Sequence, residues 1–547
     1  QLPWLAVTIV VGVLVLLPLL PLMSQVLADG GAGLREFVAY PGVLRLFANT
    51  LLLGVGAVVF ALALGTLLAL SVNYLPQRWA GIAAVPPMLP MLIPGVAHAV
   101  GFIFLFSPET GYVNTALRAT PFFSDLTTGP INVYTGFWII AYTGLHLTSF
   151  VFLFIYTGLR DLGDDFALAS RVNGAGPFRT LFRVTLPMLR PTFIYASAVA
   201  FLLAMGQFTG PLMLGRRENW NVITTEMYNL VTEPPVNFPL GASFGAPLFL
   251  LAILLVWVQR RLVGDQKRFV GRGNASLLKA PRNRLIVAFN VSFIVIFAIV
   301  SAVLPLLALV YVAFSRFWSG KLDFQGLTLD TFTRVLSDRS VHQAILTSLF
   351  ASLVAVVIVT VVGMLVAFTL FNRTNVHPWV ASLLDVFASM PLSVPAALFG
   401  FGFLFAYVQI PGMYGSPWGL AIAYVTIMIP FAMRYQLGSL VSIGGEAIEA
   451  SRANGGGVLR TFAHVILPLT RRGVLAGVAI VFVLLIQEFG SSLMLRAPGT
   501  SVMSVKLYDL FNGGLYPGVA VMGLIMTVIT AAGVSVALGF GGRKALV

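Results

Sequence analysis

Cysteine is absent from this chain of 547 residues, and charge is scarce, with Lys, Arg, Asp and Glu together making up 10% of it. Without cysteine there is no disulfide framework, no thiol nucleophile and no Cys-ligated metal, and the redox compartment is left open. Charged residues this sparse, beside 58% hydrophobic residues and a mean hydropathy of +0.94, exclude a soluble globular domain; the chain reads as an integral membrane protein. A G-x-x-x-x-G-K-[ST] run is also missing, as is any soluble block large enough to hold a nucleotide-binding domain, so the chain is not expected to hydrolyse ATP by itself. The net charge of +14 would suggest a nucleic-acid partner in a soluble domain. Here most Lys and Arg fall in short loops between apolar runs, which is a topology signal, and no nucleic-acid partner is expected.

What the chain has instead is long apolar runs. A hydrocarbon core of about 30 Å needs roughly 20 apolar residues per helix. On that basis six spans are expected near 4–27, 43–72, 82–106, 131–158, 191–214 and 240–259. Six more are expected near 285–315, 343–371, 378–408, 417–440, 473–495 and 516–539. The fold class is therefore all-α integral membrane, with about twelve transmembrane helices in two six-helix halves, 1–258 and 285–547. They are joined by a basic linker at 259–284 that carries eight Lys and Arg against one Asp. The chain starts at Gln1 without a Met, so an N-terminal piece is expected to precede it; the first apolar segment is too long for a signal h-region.

One 26-residue stretch occurs twice. Residues 165–190 and 446–471 align without a gap at a shift of 281 and agree at 12 positions. These include Ala169/Ala450, Ser170/Ser451, Arg171/Arg452, Asn173/Asn454, Gly174/Gly455, Thr180/Thr461 and Pro187/Pro468. The same shift matches Gln207-Phe208 to Glu488-Phe489 and Leu212-Met213-Leu214 to Leu493-Met494-Leu495. GFIFLF at 101–106 resembles GFGFLF at 400–405, each after a proline-rich approach. An even number of spans per half makes the repeat parallel, with its pseudo-two-fold axis along the membrane normal.

Each copy is a polar island between apolar runs. An acid at its start, Asp165 in one and Glu446 in the other, suits the free N–H groups and dipole of a helix beginning. Gly174 and Gly455 can take the left-handed conformation that ends such a helix, and a second short helix then leads to Pro187 or Pro468 and the next span. The expected product is a helix-turn-helix elbow on the membrane surface, narrow at Ala169, Ser170, Ala450 and Ser451 and flanked by Arg171 and Arg452. Placing both elbows in the cytoplasm puts 22 of the 33 Lys and Arg inside, together with both termini. Two copies on one membrane face suit a two-fold partner docking at two points.

The islands resemble the EAA loop of ABC importer permeases, in which Glu-Ala-Ala is followed by three residues, Gly, nine residues and Ile-x-Leu-Pro. Glu449-Ala450-Ser451, Gly455 and Val465-Ile466-Leu467-Pro468 carry the likeness in the second copy. In the first it is carried by Leu168-Ala169-Ser170, Gly174 and Val184-Thr185-Leu186-Pro187. Leu168 departs from the pattern by replacing Glu, and the resemblance then implies two unequal docking points, with Asp165 one turn earlier as a partial substitute. The fused arrangement is most similar to permeases of ferric-iron importers, then to those for thiamine, phosphonate or polyamine.

The resemblance implies a type I importer in the bacterial cytoplasmic membrane. An external or lipid-anchored binding protein would deliver the solute, and two copies of an ABC ATPase subunit would supply ATP and Mg, with no cofactor in this chain. A secondary transporter and a non-transporting membrane scaffold are the rival readings.

Ionisable groups inside a span are costly and read as functional by default. Glu488, with Gln207 at the equivalent place, is the leading pathway candidate; Phe208 and Phe489 follow them as candidate hydrophobic gates. His98, His146 and Asp385 are scattered over different spans and make no metal site by spacing. Pro87, Pro94, Pro391 and Pro395 are expected to kink or break their helices.

Overall fold

A computed structural model describes residues 2–162, 165–263, 283–372, 376–441, 443 and 446–541, and among them there is no strand. Seven helices are long and apolar enough to cross a membrane unbroken: Leu2–Val26, Val43–Asn73, Gly136–Leu162, Arg284–Phe314, Arg339–Phe371, Pro417–Val441 and Tyr516–Val536. Four further spans are bent pairs of helices, and a shorter apolar stretch, Phe238–Leu251, lies within the helix Phe238–Val263. All twelve expected segments are therefore helical and apolar, but four of them are not straight. Of the linker expected at 259–284, residues 264–282 lie outside the described residues.

Proline explains the sharpest bends. Arg78–Leu92 meets Gly95–Phe106 at 91°, and Pro378–Leu392 meets Ala396–Val408 at 105°. At each corner the residue before a proline is extended, Ile93 at ψ 127 and Val394 at ψ 130, because the proline ring excludes it from the helical region. Pro94 and Pro395 then start the second helix as its cap, where a missing N–H costs nothing. Pro391 by contrast lies within the helix Pro378–Ser393, and Pro87 sits in a short turn at Pro86–Met88.

Proline also accounts for three wide helical turns of the π type, at Leu181–Thr185, Ile299–Val303 and Phe462–Ile466. Each ends immediately before a Leu-Pro pair: Leu186-Pro187, Leu304-Pro305 and Leu467-Pro468. A proline inside a helix cannot donate to the carbonyl four residues back and its ring collides with it, and at these three sites the turn before it opens by one residue, whereas Pro18, Pro21, Pro247, Pro391 and Pro430 lie inside helices without such a turn.

Internal contacts divide the chain into two compact units. One consists of Gln1–Tyr40, Met227–Ala246 and Asp330–Leu546; the other contains Pro41–Glu226 and Pro247–Leu329. These are not the sequence halves, because each unit holds the other half's first helix: Leu2–Val26 falls with the second half and Arg284–Phe314 with the first. Close approach at small residues is what seats a helix in lipid, where neighbouring side chains gain little from the hydrophobic effect.

Both exchanged helices use a proline carbonyl against a glycine. A Cβ on Gly402 would lie 2.3 Å from the Pro18 carbonyl oxygen, and a Cβ on Gly101 would lie 2.8 Å from that of Pro305. Gly402→Val is accordingly expected to cost about 1–3 kcal/mol by overpacking against backbone that cannot swing aside. The measurement is the thermal unfolding midpoint in detergent, with Gly438→Ala as control. Gly438 sits exposed in the helix Pro417–Val441 with nothing within 4 Å of its missing Cβ, so that substitution should be neutral or slightly stabilising.

Candidate functional site

The two elbows are built alike, each inside its own unit. In the first, the helix Asp165–Val172 ends at Gly174 with φ 77; in the second, Glu446–Ala453 ends at Gly455 with φ 78. The Gly174 N–H donates to the Arg171 carbonyl at 2.9 Å and the Ala175 N–H to the Ser170 carbonyl at 3.1 Å. The second copy repeats this from Gly455 to Arg452 at 3.0 Å and from Gly456 to Ser451 at 2.9 Å. This pairing is the Schellman helix end, and it requires a left-handed residue at the glycine. Space is not what selects glycine there, since an added Cβ at either position would meet nothing within 4 Å.

Other identities of the repeat are bolts inside the elbow. Ser170 and Thr180 share a hydroxyl hydrogen bond of 3.0 Å, Ser451 and Thr461 one of 2.9 Å, and both threonines are buried. The side-chain amides of Asn173 and Asn454 donate to the carbonyls of Ala169 and Ala450 at 2.7 and 2.8 Å. Ser170 and Ser451, chosen from sequence as part of a docking surface, thus use their hydroxyls to join the two arms of the elbow. Arg171, Ala169, Leu168 and their counterparts Arg452, Ala450 and Glu449 are exposed. Asp165 and Glu446 open the two helices. After each elbow the chain bends into the next span, by 62° at Pro177–Met188 and by 60° at Phe462–Arg471.

The polar pair Gln207 and Glu488 sits at a second repeated feature, a break in what the sequence suggested were continuous spans at 191–214 and 473–495. Arg190–Met205 stops at Gly206, and Phe208, at φ −120 and ψ −45, restarts the chain as Thr209–Gly215. Leu467–Ile486 stops likewise, and Phe489, at φ −127 and ψ −43, restarts it as Gly490–Met494. Breaking a helix frees carbonyls that must find donors in a low-dielectric interior. The Thr224 hydroxyl donates to the Gln207 carbonyl at 2.9 Å, and the Ser504 hydroxyl to the Glu488 carbonyl at 2.6 Å. Phe208 and Phe489 are both buried within their units, Phe489 edge-on to Tyr508.

The side chains at the two breaks differ in chemistry. Glu488, 9% exposed, accepts from the N–H of Ser491 at 2.9 Å, the N–H of Ser492 at 3.0 Å and the Ser492 hydroxyl at 2.5 Å. Tyr424 completes the chain at 2.7 Å from the Ser492 hydroxyl. The carboxylate therefore caps the restarted helix, a role the sequence does not display without knowing that the helix breaks there. Among the described residues the Gln207 side chain accepts a single bond, of 3.2 Å from the Phe208 N–H, with Gly210 and Pro211 standing where Ser491 and Ser492 do in the repeat. Tyr424 and Ser504 were not foreseen; a run of Ser491 and Ser492 three and four residues after an acid was the one available signal.

The weaker sequence candidates separate. His98 is fully buried with Nε2 2.7 Å from the Ser301 carbonyl, and its ring centroid lies 5.9 Å from that of His146; Asp385 is half-buried on another helix. Among the described residues no group of three or more His, Asp or Glu stands close enough to hold a metal ion.

An all-helical membrane chain with two matched surface elbows, each followed by a broken span, defines a duplicated transport component. Residues 61–268 and again 359–541 match the family of binding-protein-dependent transport system inner membrane components. The chain belongs to that family, in a form that carries its domain twice. Among curated relatives, it is 22% identical over 512 residues to the ferric transport system permease protein FbpB of Actinobacillus pleuropneumoniae, covering 90% of this chain and 70% of the relative. It is 24% identical over 433 residues to a probable ABC transporter permease protein, y4fN, of Sinorhizobium fredii, covering 77% and 74%. A third likeness covers less of the chain: 24% over 228 residues to the spermidine/putrescine transport system permease protein PotC of Escherichia coli, covering 42% of this chain and 84% of the relative.

Proposed function

We propose that this chain is the permease subunit of an ATP-driven importer that moves ferric iron into the cell. The observation that carries the reading is the pair of elbows with the same hydrogen bonds at a constant shift of 281, which suits two copies of one ATPase subunit docking from the cytoplasm. The ferric-transport relative, aligned over nine-tenths of the chain, supports the cargo. In this reading both termini are cytoplasmic, ATP and Mg are bound by the partner subunits, and an external or lipid-anchored binding protein hands over the solute. The elbows act through Ala169, Ser170, Arg171 and Gly174 and through Glu449, Ala450, Ser451, Arg452 and Gly455. Asp165 and Glu446 begin their helices. Within each half the break, at Gln207-Phe208 and at Glu488-Phe489, is the stretch assigned to contact with the moving solute, since an ionisable or polar group within a span is costly and reads as functional.

The test is binding-protein-stimulated ATP hydrolysis by the complex in proteoliposomes. Ferric-loaded binding protein from the same operon should raise the rate several-fold over the unloaded protein. Stimulation by a thiamine-, phosphonate- or polyamine-loaded protein instead would overturn the cargo while keeping the importer class. Stimulation by none, with no ATPase co-purifying, would overturn both.

A further inference from the structure

The two elbows share one backbone but present different surfaces. On the first helix, Leu168 and Val172 are four residues apart and so lie on one face; they are 46% and 87% exposed, beside Phe166 at 46%. On the second helix the same register holds Glu449 and Ala453, both exposed, with Ala447 in place of Phe166. What the copies keep in common is the frame: the left-handed glycine, the Ser–Thr bolt, the Asn cap and an exposed arginine, Arg171 or Arg452. On the outward face of the first arm, a bulky apolar ridge in one elbow becomes a small acidic one in the other.

We infer that the two elbows hold the same ATPase subunit by different physical chemistry. The first is an apolar dock that is insensitive to salt; the second is an ion-paired dock that salt weakens. This rests on the reading that both elbows receive copies of one ATPase. Because identical copies offer identical grooves, each groove must combine two features: an apolar floor that takes Leu168 and Val172, and a basic group at its rim that meets Glu449. Apolar burial responds little to added sodium chloride. The attraction of exposed charges falls as the screening length shrinks from about 10 Å at 0.1 M to about 3 Å at 1 M. The structural frame supplies the orientation in both elbows, so the asymmetry changes how firmly each copy is held and leaves where it sits unchanged.

The experiment uses the full complex without nucleotide, washed at 0.1 M and at 1 M sodium chloride, with the ratio of ATPase to permease read from the retained protein. Two chains are compared with the parent. Leu168→Glu with Val172→Ala gives both elbows the acidic face; Glu449→Leu with Ala453→Val gives both the apolar face. With ATPase held near half-saturation, the parent is expected to lose part of its bound ATPase between 0.1 M and 1 M. The doubly apolar chain should lose little and the doubly acidic chain the most, with an affinity change on the order of two- to fivefold per acidic dock, the range of an exposed ion pair.

Equal salt dependence in the two altered chains would overturn the inference. A separate control, Gly174→Pro combined with Gly455→Pro, removes both frames: ATPase retained by that chain at 0.1 M would mean that the elbows are not the docks at all. Retention at 0.1 M by the altered chains shows that they have folded and assembled.

Discussion

Gly455→Pro is expected to abolish coupled transport while leaving the membrane-embedded protein in place. Gly455 sits at φ 78, and its N–H donates to the Arg452 carbonyl at 3.0 Å. Proline fixes φ near −65° and has no N–H, so the Schellman end is lost in both its geometry and its hydrogen bond. Forcing a residue out of a compatible conformation costs on the order of 1–3 kcal/mol, and the lost hydrogen bond about 0.5–1.5 kcal/mol more. The eight-residue helix Glu446–Ala453 has no stability of its own to offset that, since helices this short are marginal without packing. The elbow should fray, and binding-protein-stimulated uptake into proteoliposomes should fall by roughly a hundredfold, about 2.8 kcal/mol at 1.4 kcal/mol per decade.

Two companions separate geometry from bulk. Gly455→Asn should retain most activity, because Asn tolerates the left-handed region and a Cβ there meets nothing within 4 Å; Gly455→Val should not, because a β-branched residue does not tolerate it. Gly174→Pro should behave like Gly455→Pro. Normal uptake by Gly455→Pro would show that the elbow's shape does not transmit force.

The elbows were legible because their signals are local. An acid, a short helical run, a glycine and a Leu-Pro pair each act within a few residues, and their repetition at one shift doubles every signal. The twelve apolar segments were legible for the same reason, since length and hydropathy are sums along the chain.

Three other features depend on partners distant in sequence or on a choice between two local outcomes. Pro94 and Pro395 break their spans by 91° and 105°, whereas Pro391 stays inside its helix, and the sequence around each offers no local discriminator. The exchange of Leu2–Val26 and Arg284–Phe314 between units rests on contacts such as Pro18 with Gly402, almost four hundred residues apart. Glu488 read as a charge inside a span, because the break at Gln487–Phe489 is visible only once Ser504 is seen to satisfy its carbonyl. The three π turns all precede a Leu-Pro pair, yet Leu17-Pro18 and Leu20-Pro21 lie inside the helix Leu2–Val26 without one, so the pair alone does not single them out.

Glu488→Lys is expected to prevent accumulation of folded protein, and Glu488→Gln to be mild. The carboxylate receives three donors, from Ser491 and from the backbone and hydroxyl of Ser492, so a lysine would bury a cation against N–H groups that already point their positive ends at it. Leaving such donors unpaired beside a buried like-signed charge costs about 3–5 kcal/mol, a large part of the 5–15 kcal/mol that holds a typical protein domain folded. Glutamine keeps an acceptor for one or two of the donors and should cost about 1 kcal/mol. The reverse exchange at the other break should be harmful: of the three donors that Glu488 uses, Gln207→Glu would have only the counterpart of the Ser491 N–H, at Gly210, because Pro211 supplies neither the N–H nor the hydroxyl of Ser492. The measurements are the monodisperse yield and thermal midpoint in detergent, followed by uptake. If Glu488→Gln leaves yield and midpoint near those of the parent yet abolishes uptake, the carboxylate's charge acts on the moving solute. Uptake within severalfold of the parent would assign Glu488 to the cap alone.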